Sequence, residues 1–212
     1  MLLLHVTSRV DGEPYPTLLR DKGFTGFPSL CFMDADGNVL AKQGERSVEG
    51  FERALERLEE VQELRGRLAS EDDPKLRLRL LLAELELEML RAAEIKERLE
   101  VMQLGAEDRA RVDGYLVDAE VRDLRSRARE LGNDQVAAEF LAIARAGRRP
   151  TAATQRLFWQ IVLSAAAKAA DAELAQTAFD ALSELQLPAT LQRRLQALLD
   201  QARAGKDRTA DK

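Results

Sequence analysis

The sequence predicts an α/β segment followed by an all-α module. Three observations carry this reading. Short apolar runs bounded by turn residues occupy the chain up to about residue 43. After residue 47 the composition shifts to Leu, Ala, Glu and Arg, all strong helix formers. From Phe51 onward apolar residues recur at spacings of three and four, the repeat of a helix with one buried stripe.

Each element follows from local chemistry. Leu2, Leu3, Leu4 and Val6 form a continuous apolar run ending at Thr7, Ser8 and the Asp11-Gly12 pair, which reads as a strand buried on both faces. Pro16 to Lys22 is a short helix, with Pro in its first turn and Gly23 as terminator. Ser29–Met33 and Asn38–Lys42 are the strands of a hairpin turned by Asp34-Ala35-Asp36-Gly37. Ser47 caps a helix whose stripe is Phe51, Ala54, Leu55, Leu58, Val61, Leu64 and Leu68. Ser70-Glu71-Asp72-Asp73-Pro74 is the clearest punctuation, with Asp73 placed to cap the helix that Pro74 opens.

Helices are expected over Pro74–Leu90, Ala92–Gln103, Glu107–Leu131, Gln135–Ala146, Thr151–Ala169, Ala172–Leu185 and Thr190–Ala204. Short connections between them predict an array of antiparallel helical hairpins. The resulting division is 1–69 for the α/β part, 70–204 for the helical part and 205–212 for a charged, disordered tail.

Bulk properties narrow the function classes. Hydrophobic residues at 45% and charged ones at 33% suit a packed core under a solvated surface. The net charge of −5 comes from interleaved signs with no basic face, so a nucleic-acid partner is not expected. No run reaches the ~20 apolar residues of a membrane span. Met1–Leu4 lacks a basic flank and a cleavage site, so no export signal is expected in the chain as written, and a periplasmic or secreted location would need one upstream. The single cysteine, Cys31, excludes an internal disulfide and a C-x-x-C pair within this chain.

The segment Gly23-Phe24-Thr25-Gly26-Phe27-Pro28-Ser29-Leu30-Cys31-Phe32-Met33-Asp34-Ala35-Asp36-Gly37-Asn38-Val39-Leu40 resembles the second half of thioredoxin-like proteins. The order strand, helix, Gly-x-Pro, hairpin, helix carries the resemblance across about residues 1–64. It implies an incomplete thioredoxin-like sheet, a cis bond between Phe27 and Pro28, and a role for Phe27 and Pro28 in contacting an extended peptide. The family's first strand and its C-x-x-C would precede Met1. The expected function is therefore a redox-inactive, protein-binding adaptor or accessory factor. The alternative is a thiol-disulfide oxidoreductase whose C-x-x-C lies upstream of Met1. The helical part is similar in size to tetratricopeptide-type repeats, without their diagnostic residues or a fixed period. A strand-mediated dimer is expected if the edge of Ser29–Met33 is filled by a second molecule rather than by Leu2–Val6.

The remaining candidates read as structural, so no catalytic residue, metal ligand or cofactor site is assigned. Cys31 sits in an apolar strand with no cationic neighbour in sequence and reads as a small buried hydrophobe. His5 is the only histidine and has no cysteine at ligand spacing. Asp34-Ala35-Asp36-Gly37-Asn38 fits a hairpin turn better than a calcium loop, because its glycine is fourth and strands flank it. Phe158 and Trp159 are adjacent on a helix apolar around much of its circumference and read as core between helices, with a peptide groove as the functional alternative.

Overall fold

The computed structural model describes residues 15–24 and 28–210. The strand expected at Leu2–Val6, His5, the Asp11-Gly12 turn and the Phe27–Pro28 bond lie outside the described residues. Helix accounts for 69% of the described residues, so most of the core is made by helices packing on helices. A small two-stranded antiparallel sheet precedes all of them but the first. The chain divides into two compact units, one up to Met89 and one from Leu90.

The first unit is built around the hairpin. Helix α1 (Leu18–Asp21) ends where Gly23 takes the left-handed conformation. The N–H of Gly23 returns to the Arg20 carbonyl and that of Phe24 to the Leu19 carbonyl, which satisfies the last carbonyls of the helix. Strand β1 (Leu30–Met33) pairs with β2 (Val39–Gln43), Phe32 opposite Ala41, with a register shift between Phe32 and Met33. Helix α2 (Val48–Leu68) starts at Ser47, whose hydroxyl accepts the Gly50 N–H at 3.0 Å. Phe32 meets Phe51 edge-on at 6.0 Å, and Ala41 packs with Leu58 and Val61 of α2. Helix α3 (Pro74–Glu86) adds Ala83 to the same cluster, and Leu87 completes it. Glu84 of α3 is buried and takes both Nε (3.1 Å) and Nη2 (2.6 Å) of Arg65 on one carboxylate oxygen. The division expected after residue 69 thus falls between α2 and α3, two helices that pack on each other. The expected run to Leu90 stops at Glu86. Glu88 has φ 54°, and the Met89 N–H turns back to the Glu84 carbonyl.

The second unit is all helix: α4 (Ala92–Val101), α5 (Ala106–Ser126), α6 (Ala128–Leu131), α7 (Asn133–Arg145), α8 (Gln155–Lys168), α9 (Ala172–Ser183) and α10 (Ala189–Ala210). Helix α4 packs on α5, α5 on α7, α7 on α8, and α8, α9 and α10 on one another. One apolar core joins α5 to α10 and is fullest around α8, with Phe158, Trp159, Val162, Leu163 and Ala166 all at 2% exposure or less. Phe158 and Trp159 are therefore core residues, in edge contact at 4.9 Å.

Three helix boundaries of this unit depart from the sequence expectation by four residues or more. The helix expected over Glu107–Leu131 breaks at Arg127, whose N–H still reaches the Asp123 carbonyl (3.1 Å) that the Ser126 hydroxyl also shares (2.8 Å). The helix expected from Thr151 begins at Gln155 instead. Residues 151–154 form a turn bound to Asp118, a buried carboxylate on α5 that accepts the Thr151 N–H (3.2 Å), the Thr151 hydroxyl (2.5 Å) and the Thr154 hydroxyl. Helix α10 continues past Ala204 to Ala210. A Cβ on Gly205 would lie 2.8 Å from the Ala170 Cβ, so this glycine lets α10 pass the α8–α9 corner rather than ending the helix.

Replacing Asp118 by Ala strands a backbone N–H and two hydroxyls at that corner. Asp118→Ala is expected to lower unfolding stability by about 2 kcal/mol, measured by urea denaturation of the full chain. A change under about 0.5 kcal/mol would show that the corner does not depend on the carboxylate.

Candidate protein-interaction site

Two places merit attention, one in each unit. The first is the hairpin region that the sequence singles out. Pro28 is exposed, and its carbonyl accepts a hydrogen bond from Arg46 Nη2 at 3.2 Å. Phe27 lies outside the described residues, so the pair is not seen together. Lys22 Nζ donates to the Gly37 carbonyl at 2.5 Å, and Lys42 Nζ to the Gly23 carbonyl at 3.3 Å while lying 5.2 Å from the centre of the Phe24 ring. These contacts tie the end of α1 to the hairpin.

Cys31 is half-buried in β1, opposite Lys42. Burial pushes its thiol up, and the nearby Lys22 and Lys42 ammonium groups oppose that only in part. The thiolate is the reactive form, so the net effect is a sluggish thiol. At the turn, the Asp34 carboxylate accepts from the Asn38 side chain at 2.9 Å and from the backbone N–H groups of Asn38 (2.8 Å) and Asp36 (3.0 Å). These bonds, the Asn38 side chain first, hold its carboxyl below the usual range. The acidic turn is thus spent on its own backbone. No group of three potential metal ligands occurs among the described residues.

The second place is an open groove of about 400 Å³ between α9 and α10. Its floor is Leu182 and Leu195, both in the core, and half-buried Phe179 and Leu187 form its apolar walls. Ser183, Gln192, Arg193 and Gln196 make the polar rim. The geometry comes from the linker. Helix α9 ends with the Leu185 N–H on the Leu182 carbonyl, and α10 begins as the N–H groups of Leu191 and Gln192 bond to the Pro188 carbonyl. Gln192 Nε2 holds the Leu187 carbonyl at 3.0 Å and so fixes the linker over the groove. Sequence reasoning overlooked this site. The available signal was Leu185 and Leu187, two large apolar residues in the linker before Pro188.

The arrangement offers apolar contact and hydrogen bonding, the chemistry of peptide recognition. No helix among the described residues is long and apolar enough to cross a membrane. No family model matches the chain, and no curated protein or solved structure matches it either.

The raised Cys31 thiol gives a direct check. Alkylation by iodoacetamide at pH 7 should run slower than that of a free cysteine, and the rate should keep rising above the ordinary thiol range of about pH 8.5. Lys42→Met, which removes an opposing charge, should slow it further. Alkylation at pH 7 as fast as that of a free thiol would contradict the assignment.

Proposed function

We propose that the protein is a protein-binding adaptor or accessory factor, in which a redox-inactive thioredoxin-like region joins a tetratricopeptide-like helical array. The observation that supports this most is the α9–α10 groove: an apolar floor continuous with the core, half-buried Phe179 and Leu187 beside it, and a polar rim. Helical arrays present such surfaces to partner segments. The thioredoxin-like part of the reading rests on the hairpin segment and its place before α2, with the cis Phe27–Pro28 bond as its finer expectation. On this reading Phe27 and Pro28 contribute a second peptide-contacting loop. The single cysteine supports a non-redox role for this chain, because thiol–disulfide exchange through a dithiol needs a resolving thiol.

Site-specific photocrosslinking in the source cells tests the reading. Benzoylphenylalanine in place of Leu187 should give one or a few discrete protein adducts. The same probe in place of Glu130, exposed on α6, should not. Equal adduct patterns from both positions, or none from either, would contradict an adaptor role for the groove.

A further inference from the structure

We propose that the α9–α10 groove takes an acidic amphipathic peptide from a partner protein, seating apolar side chains against Phe179, Leu187 and Leu195 and pairing a carboxylate with Arg193. This rests on the adaptor reading and names the chemistry of the partner. Charge complementarity carries it. The rim donors are already engaged apart from Arg193: Gln192 Nε2 on the Leu187 carbonyl (3.0 Å), Gln196 Nε2 on Asp200 (2.9 Å) and the Ser183 hydroxyl on the Phe179 carbonyl (2.8 Å). Among the described residues Arg193 is the only charged one lining the groove, and it makes no ion pair with another of them.

An arginine beside an apolar floor sets the sign of what can bind. Its guanidinium offers several donors in a fixed plane that match a carboxylate, and it repels a lysine or arginine at the same point. The volume of about 400 Å³ lies within the range of peptide and small-ligand pockets. The segment Lys206-Asp207-Arg208-Thr209-Ala210-Asp211-Lys212 does not suit the groove, since it contains no large apolar side chain. The favoured occupant therefore carries apolar residues on one helical face and acidic residues beside them, the pattern by which an amphipathic helix enters a groove.

The probes are fluorescein-labelled synthetic peptides of one length with Leu at positions i, i+3 and i+7. Glu fills the remaining charged positions in one peptide and Lys in the other. Fluorescence anisotropy with the full-length protein at low ionic strength reads binding. The Leu/Glu peptide should bind at least about fivefold more tightly than the Leu/Lys peptide. Arg193→Glu should invert that order, and Leu187→Glu should abolish binding. Arg193 is exposed, so circular dichroism of R193E should match that of the parent. Equal affinity for the two peptides, an order unchanged by R193E, or no binding by either would overturn the proposal. A concentration-dependent dimer in sedimentation equilibrium that L187E dissolves would also overturn it, by making a second copy the occupant. If the peptides fail while a probe at Leu187 still gives discrete adducts in cells, the partner chemistry falls and the adaptor reading stands.

Discussion

Helix α8 must be buried on several sides, and much of the second unit follows from that requirement. Phe158, Trp159, Val162, Leu163, Ala165, Ala166 and Ala167 are all buried, and they point in too many directions for a single neighbour to cover. Helices α7, α9 and α10 cover them between them. The alanines set how closely these neighbours approach, because a small side chain fixes a short interaxial distance. Ala175, Ala178 and Ala202 repeat the device on α9 and α10. Both walls of the groove thus rest on α8, and the cleft between them stays open where the linker through Leu187 and Pro188 spreads the two helices' ends.

The corners hold this packing in place. A shared device closes α1, α3, α7 and α8: a left-handed residue, with its own N–H and the next returning to carbonyls of the last turn. Gly23 and Gly147 occupy that position in α1 and α7 and are readable as terminators from sequence. Glu88 and Ala170 occupy it in α3 and α8 and are not, since nothing in either residue type announces φ near +54° and +53°. Gly205 misleads in the other direction, looking like a stop while serving as a gap for Ala170. Asp118 pins the α7–α8 corner by reaching across from α5, a contact between residues more than thirty positions apart that local patterning cannot foresee. Near it, Arg148 pairs with Asp113 (3.1 Å) and Glu120 (2.8 Å), and Lys96 of α4 reaches the same Glu120 (2.8 Å).

Legibility therefore follows the range of the interaction. The hairpin, the Ser47 cap and the Asp73 cap are local and stand where the sequence puts them; the expected stripe of α2 is buried at Leu58, Val61 and Leu64 but leaves Leu55 exposed. The burial of Phe158 and Trp159 is legible for a different local reason, a helix apolar around too much of its circumference for one stripe. The Asp72–Pro74 punctuation marks a turn between two helices that contribute to one cluster with Leu58, Val61, Ala83 and Leu87. For the candidate site, the sequence points to Phe27 and Pro28, through the resemblance of the segment that holds them. Phe179, Leu187 and Arg193 are ordinary residues whose meaning comes only from the meeting of two helices.

Helix α8 is the support on which α9 and α10, the two sides of the groove, both stand. Native-state hydrogen exchange of the full-length protein, followed by mass spectrometry, tests it most directly. Amides of residues 155–168 should exchange more slowly than any other segment from 90 to 210, and the 184–188 linker should exchange far faster. Exchange in α8 as fast as in α4 or in that linker would contradict it.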